Sequence, residues 1–358
     1  MSKKSIGSAA IPVNTESVGR LAWPDAARAI SIILVVFYHA LAWLPHAGYD
    51  KTPVEGAIGA ISHDLRMPLL FFTAGLFATK WAATPWKGIL SGKLAFLLWP
   101  FLIWQVVVFA YKLAAALWLP GREDSLGLLL PMTLLSPLRP NGETWFLWAL
   151  AIYFVITKVT YGIRARWVVG IAAIFSAVWS SLVIPQLSER HEQLMGPGLL
   201  NVLMYFVFFV GAARYSKWII GKISAWSTLT SATIFLAWAT YAVVIHVTNT
   251  TGAMFIDQIL AIAGGLALAR LLEGVSVLQH IGHRTLAIYL AHTTFVVAFA
   301  IVLARTEWFS VQALAIASPY FVTLASLAFG YLIDSLFAKT WLFQPPAGFL
   351  TKRRNQEA

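Results

Sequence analysis

The chain has 358 residues, 59% of them hydrophobic and only 11% charged, and it contains no cysteine. Those proportions exclude a disordered chain and an ordinary soluble domain, and the missing thiols exclude disulfides, thiolate nucleophiles and sulfur-ligated metals. The excess of 26 Lys+Arg over 15 Asp+Glu fits basic loops at one membrane face rather than a nucleic-acid partner.

A bilayer is crossed by about 20 apolar residues, and on that ruler spans fall near 26–45, 62–79, 94–118, 144–161, 167–184, 198–214, 228–248, 254–272, 285–304 and 315–337. The expected fold is therefore all-α and polytopic, with about ten transmembrane helices. The first run holds Asp25, Arg28 and His39 and no small-residue cleavage site, so it reads as a retained helix rather than a signal peptide. Turn-forming residues break the pattern at Leu119-Pro120-Gly121, Arg139-Pro140-Asn141-Gly142 and Gly196-Pro197-Gly198. Basic residues alternate from loop to loop. One set comprises both termini, Lys80, Lys87 and Lys93, then Lys158, Arg164 and Arg166, then Arg214, Lys217 and Lys222, then Arg270 and Arg284. The smaller opposite set is Lys51, Arg66, Arg122, Arg139, Arg190 and Arg305. Because positive residues stay in the cytoplasm, both termini are expected there.

Ionisable groups inside spans are costly and mark candidate sites. Arg28 and His39 are eleven positions apart, which is about three full turns at about 100° per residue, so they share one helix face. Asp25 lies near the same face, one turn before Arg28. Two readings stand beside each other. Asp25 and Arg28 form a local ion pair while His39 bonds a neighbouring helix. Alternatively, a fixed cation on the basic side grips an anionic donor whose reactive end, about 16 Å further along the helix, meets a histidine able to take a proton from a hydroxyl.

Further candidates lie outside the first helix. His292 falls deep enough in its span to face His39, or else bonds Tyr289 or Thr293. Glu143 opens a span beside Trp145 and Trp148, where it orients a sugar hydroxyl or serves as a first-turn carboxylate. His280 and His283 form a His-x-x-His pair beside Arg284, and without further ligands no metal site is expected there. Asp334 is expected to pair with Lys339.

The stretch Asp25-Ala-Ala-Arg28-Ala-Ile-Ser-Ile-Ile-Leu-Val-Val-Phe-Tyr-His39 resembles the first-helix motif of the membrane acyltransferase-3 family, an Arg, ten residues, then His. Met67-Pro-Leu-Leu-Phe-Phe-Thr-Ala-Gly75 is similar to that family's second span, with Ala74 where Ser is usual. Glu143-Thr-Trp-Phe-Leu-Trp148 and Leu286-Ala-Ile-Tyr-Leu-Ala-His292 resemble its fourth-span and late segments. The resemblance implies a bacterial inner-membrane enzyme that moves an acyl group, commonly acetyl, from cytoplasmic acyl-CoA to a hydroxyl of an extracytoplasmic saccharide or glycolipid. Trehalose mycolates are among the family's acceptors. It also implies that acyl-CoA is a co-substrate and that no cofactor is tightly bound.

On this reading residues 24–338 are the acyltransferase domain, between a cytoplasmic tail at 1–23 and a basic tail at 339–358. His39 and Arg28 are the catalytic residues, and Asp25, Glu143, Tyr289, His292 and Trp145 support them or meet the acceptor. The family's third-span Arg-x-x-Arg pair is absent. Donor phosphates then fall to Arg28 with Lys80, Lys87, Lys93, Arg164, Arg166, His283 and Arg284. The acceptor would bind among the outer loops at 46–61, 120–143, 185–197, 249–253 and 305–314. His39 acts either as base or as transient acyl carrier, and the competing reading is a multi-pass transporter or flippase.

Overall fold

The computed structural model describes residues 21–122, 126–248 and 254–346. The terminal tails and the 249–253 loop lie mainly or wholly outside the described residues. Among the described residues there are fifteen α-helices and no strand. In chain order they are α1 (Trp23–Trp43), α2 (Pro53–Leu76), α3 (Thr79–Ala83), α4 (Trp86–Ile89), α5 (Ala95–Trp118), α6 (Leu126–Leu134), α7 (Trp145–Val159) and α8 (Ala165–Val178), followed by α9 (Glu189–Arg214), α10 (Ser216–Ser224), α11 (Thr228–Val247), α12 (Met254–Leu271), α13 (Ser276–His283), α14 (Thr285–Leu303) and α15 (Gln312–Phe337).

Nine segments among the described residues, built on α1, α5, α7, α8, α9, α11, α12, α14 and α15, are long and apolar enough to cross a membrane. The chain is an all-α polytopic membrane protein. The expected span at 62–79 corresponds to α2, which is as long as the others but carries Glu55, His63, Asp64 and Arg66 and is not apolar enough to be counted with them. It starts at Pro53 because Thr52 accepts from the Glu55 amide while the Glu55 carboxylate accepts from the Thr52 amide, a capping box with proline at the first helical position. Tyr49 donates to the same buried Glu55. Burial, and then the facing carboxylate, push the Tyr49 phenol above its usual range, so it remains the donor.

Helix α1 is the axis of the bundle. Pro24 and Asp25 in its first turn suit a helix N-terminus, most of its residues are buried, and it packs against α2, α12, α13, α14 and α15. By contrast α11 is peripheral, held mainly by α12. Phe71 of α2 centres an aromatic cluster with Trp145, Phe146, Tyr153 and Tyr205, at ring separations of 4.6–5.8 Å.

Two glycines set close helix approaches. A Cβ at Gly75 would lie 2.2 Å from the Phe209 carbonyl oxygen of α9, and one at Gly282 would lie 2.1 Å from the Asp25 carbonyl oxygen of α1. Backbone cannot yield as a side-chain tip can. Gly282→Val is expected to lift α13 from α1 and to lower stability by about 1–3 kcal/mol, measured as an earlier thermal transition of the protein in micelles. An unchanged transition would show that α13 is not held by this contact.

Candidate active site

The site forms where the Trp43 end of α1 meets the first turn of α7 and the middle of α14. In α1 the imidazole of His39 turns its Nδ1 to the Val35 carbonyl oxygen at 2.8 Å. A carbonyl only accepts, so Nδ1 carries the proton and Nε2 presents its lone pair. His292 of α14 repeats the pattern, with Nδ1 3.1 Å from the Ile288 carbonyl oxygen. Its Nε2 then accepts from the Thr293 hydroxyl at 3.1 Å and from His39 Nδ1 at 3.1 Å. The two rings meet edge to face, 4.8 Å apart. His292 is fully buried, and its Nε2 shares the Nδ1 proton of His39 with the Val35 carbonyl oxygen, a contact that suits the same tautomer of His39.

The free Nε2 of His39 faces Glu143 Oε1 at 3.6 Å. That gap is longer than a direct hydrogen bond. The two side chains are 17% and 14% exposed, so both remain reachable. Tyr111 of α5 donates to Glu143 Oε2, and Tyr289 of α14 donates to the Glu143 backbone carbonyl. Glu143 is thus gripped from two helices, by its carboxylate and by its backbone. Gly142 makes this turn possible: its φ is 65°, and a Cβ there would lie 2.9 Å from both the Tyr111 hydroxyl and Val108 Cγ1. Lys112 Nζ donates to Asn141 Oδ1 at 2.5 Å, and Gln105 donates to Thr144 Oγ1 at 2.5 Å. Trp145 is buried, stacks against Tyr205 and reaches Phe71.

His39, Glu143, Trp145 and Tyr289 line a cavity of about 750 Å³ together with Tyr38, Trp43, Arg66, Lys112, Arg122, Arg139, Asn141, Pro197 and Asn201. The lining includes His46, Arg122, Arg139 and Pro197, which belong to the stretches 46–61, 120–143 and 185–197, three of the five expected to hold the acceptor. Gly196, in this wall, interrupts α9 with φ 67° and ψ 172°.

At the opposite end of α1, Asp25 is buried and pairs with Arg28 Nη1 at 3.0 Å and with His283 Nε2 of α13 at 2.8 Å. The expected ion pair is present, and His283 belongs to it. The guanidinium of Arg28 lies 5.0 Å from the centre of the Phe77 ring. Lys93, just before α5, sits within electrostatic reach of Arg28 and Lys80, and the three cations form one group. Lys87 is exposed, while Arg164 and Arg166 open α8, with Arg166 5.3 Å from the ring centre of its neighbour Trp167. No contact among the described residues draws these last three into the group. Arg284 bonds Asp334 at 3.0 Å. The expected Asp334–Lys339 pair is therefore replaced, because Arg284 presents its guanidinium across the α14–α15 contact. His280 turns to the Ser276 carbonyl oxygen, and no cluster of three metal-ligating side chains occurs among the described residues.

Sequence reasoning missed Tyr111, Asn141 and the cavity role of Arg66 and Lys112. Arg66, an ionisable residue within a helix, carried a usable signal, whereas Tyr111 in an apolar run carried none.

The family model Acyl_transf_3, an acyltransferase domain, matches residues 21–334. The chain belongs to this family of acyltransferases. No curated protein and no solved structure matches it. It is a membrane acyltransferase.

Proposed function

We propose that this acyltransferase moves an acyl group, acetyl in the simplest case, from cytoplasmic acyl-CoA to a hydroxyl of an extracytoplasmic saccharide or glycolipid. The observation that carries this reading is the His39–Glu143 pair at the floor of a cavity lying at the other end of α1 from the Arg28–Lys93–Lys80 cations. Phosphates of the donor suit those cations, and its pantetheine arm is long enough to carry a thioester toward His39.

In the direct route the acceptor hydroxyl loses its proton to His39 Nε2 as its oxygen attacks the thioester carbonyl. The tetrahedral adduct collapses, the carbon–sulfur bond breaks, and the coenzyme A thiolate leaves and takes up a proton. Glu143 stabilises the imidazolium that forms in between. In the covalent route the same Nε2 lone pair attacks the thioester first and expels the coenzyme A thiolate. The acceptor hydroxyl then attacks the acyl-imidazole carbonyl, the carbon–nitrogen bond breaks to free His39, and the hydroxyl proton passes to the thiolate. Both routes use one nitrogen, and both place the acceptor in the cavity.

The test is release of coenzyme A from acetyl-CoA by the protein reconstituted in liposomes. A transporter would move substrate and release none. Topology gives a second check. The chain has no cysteine, so Lys87→Cys and Arg122→Cys variants each carry one thiol. An impermeant reagent is expected to label them from opposite faces of the membrane, and same-face labelling would overturn the donor-inside, acceptor-outside arrangement.

A further inference from the structure

The walls of the cavity carry charge that transfer to a neutral sugar does not use. Arg66, Lys112, Arg122 and Arg139 face a single carboxylate, Glu143, among the described lining residues, and Glu143 is already engaged by Tyr111 and His39. Arg66 is the sharpest case. It is 7% exposed, and its guanidinium lies 3.9 Å from the centre of the Tyr38 ring and 3.5 Å from the Gly59 carbonyl oxygen. The acidic neighbour in sequence, Asp64, turns instead to His63 at 3.1 Å. Asp64 acts on Arg66 only through space and makes no ion pair with it among the described residues, and a buried guanidinium without a carboxylate in direct contact is destabilising unless an anion completes it.

Two further donors converge on the same space. The Lys112 ammonium group is half-buried in the wall. Asn141 is 5% exposed; its oxygen accepts from Lys112 while its Nδ2 donor has no partner. Arg122, over the Trp43 ring, and Arg139, bonded to the Leu194 carbonyl oxygen, have contacts of their own and add their charge to the wall. The chemistry at the floor points the same way. Arg66 is within electrostatic reach of His39, and its charge works against Glu143 by opposing the imidazolium that proton abstraction creates. A bound anion cancels that opposition.

We infer that the cavity is an anion site as well as an acceptor site. The acceptor carries a phosphate or carboxylate, held by Arg66, Lys112 and Asn141, beside the hydroxyl presented to His39. This rests on the proposed placement of the acceptor in the cavity. A guanidinium binds such a group through two parallel hydrogen bonds, which would orient the sugar as well as hold it.

The test uses the full-length protein in neutral detergent, titrated with glucose, glucose 6-phosphate and glucuronate and followed by tryptophan fluorescence, since Trp43 and Trp145 line the cavity. The two anionic sugars are expected to half-saturate at about tenfold lower concentration than glucose, a difference of about 1.4 kcal/mol. Lys112→Gln, and Arg66→Lys as a variant that keeps the charge, are each expected to weaken the anionic sugars about tenfold and to leave glucose unmoved. Lys80→Gln, at the other end of the bundle, should not shift the titration. Equal binding of the three sugars would overturn the inference, and so would a loss confined to Lys80→Gln. Adding phosphatidylglycerol in place of phosphatidylcholine separates the sources: competition assigns the anion to a lipid headgroup, and its absence to a soluble or saccharide-borne group. Coenzyme A release is read on the same preparation. Its absence would sink acyl transfer while leaving the sugar titrations to decide the anion site.

Discussion

Replacing His39 with Ala is expected to lower acyl transfer by about 10³-fold or more while leaving the thermal transition near that of the parent. His39 contributes one hydrogen bond to Val35 in its own helix and one to His292, so its loss costs little packing, whereas its Nε2 is the nitrogen that meets Glu143 in the cavity lining. Glu143→Gln gives a graded companion. The amide keeps the shape and can still meet Tyr111, but it cannot offset positive charge on the imidazole. A fall of about 10²-fold is expected. Coenzyme A release read at saturating acetyl-CoA checks both. Full turnover in His39→Ala would remove the histidine from the chemistry, and an unaffected Glu143→Gln would reduce Glu143 to a structural anchor.

The second large effect concerns the other end of α1. Asp25 is shared between Arg28 and His283, so two accounts of Arg28 make opposite forecasts. If Arg28 only neutralises Asp25, the double variant Asp25→Asn/Arg28→Gln removes both charges and restores turnover lost in Arg28→Gln alone. If Arg28 meets the donor, the double variant stays as inactive as the single one, and the apparent KM for acetyl-CoA rises by about tenfold or more, the loss of a charge-assisted hydrogen bond. The neighbouring Lys93 and Lys80 favour the second outcome, because they add positive charge beside Arg28 that the Asp25 carboxylate, already shared with His283, is not shown to pair. A double variant with near-parental turnover would return the donor phosphates to other residues.

Much of this arrangement was legible in the amino-acid order, and the limits have physical causes. The spans follow from hydropathy because the bilayer imposes one length and one polarity on every crossing segment. Arg28 and His39 could be placed on one face because a helix has a fixed period. The start of α2 escaped that reasoning, since averaging over a window dilutes its polar first half, although Thr52, Pro53 and Glu55 spell out the cap that begins it. What no local pattern carries is the meeting of distant elements. Glu143 drew notice as an acidic residue at a helix start, yet its approach to His39 depends on how α7 docks beside α1 and α14. His292 was expected to face His39 or to bond Thr293, and it does both. Tyr111 becomes functional only because Gly142 lets the turn before α7 fold back on α5. Arg284 found Asp334 across two helices rather than leaving it to the nearer Lys339, as packing overrides sequence proximity.

The way Glu143 is anchored bears on how such an enzyme diversifies. Its carboxylate and backbone are fastened to α5 and α14, and His39 is fastened to its own helix and to His292, so the proposed reacting pair belongs to the helix bundle. Other parts of the cavity wall, Arg122, Arg139 and Asn141 among them, sit in connections between the long helices, and Gly196 and Pro197 sit at the kink of α9. Substitutions and insertions there can reshape the acceptor pocket without disturbing a proton-transfer geometry set elsewhere. On the proposed function, selection for a new acceptor can then act on the wall alone, while the pair that carries the chemistry is inherited unchanged.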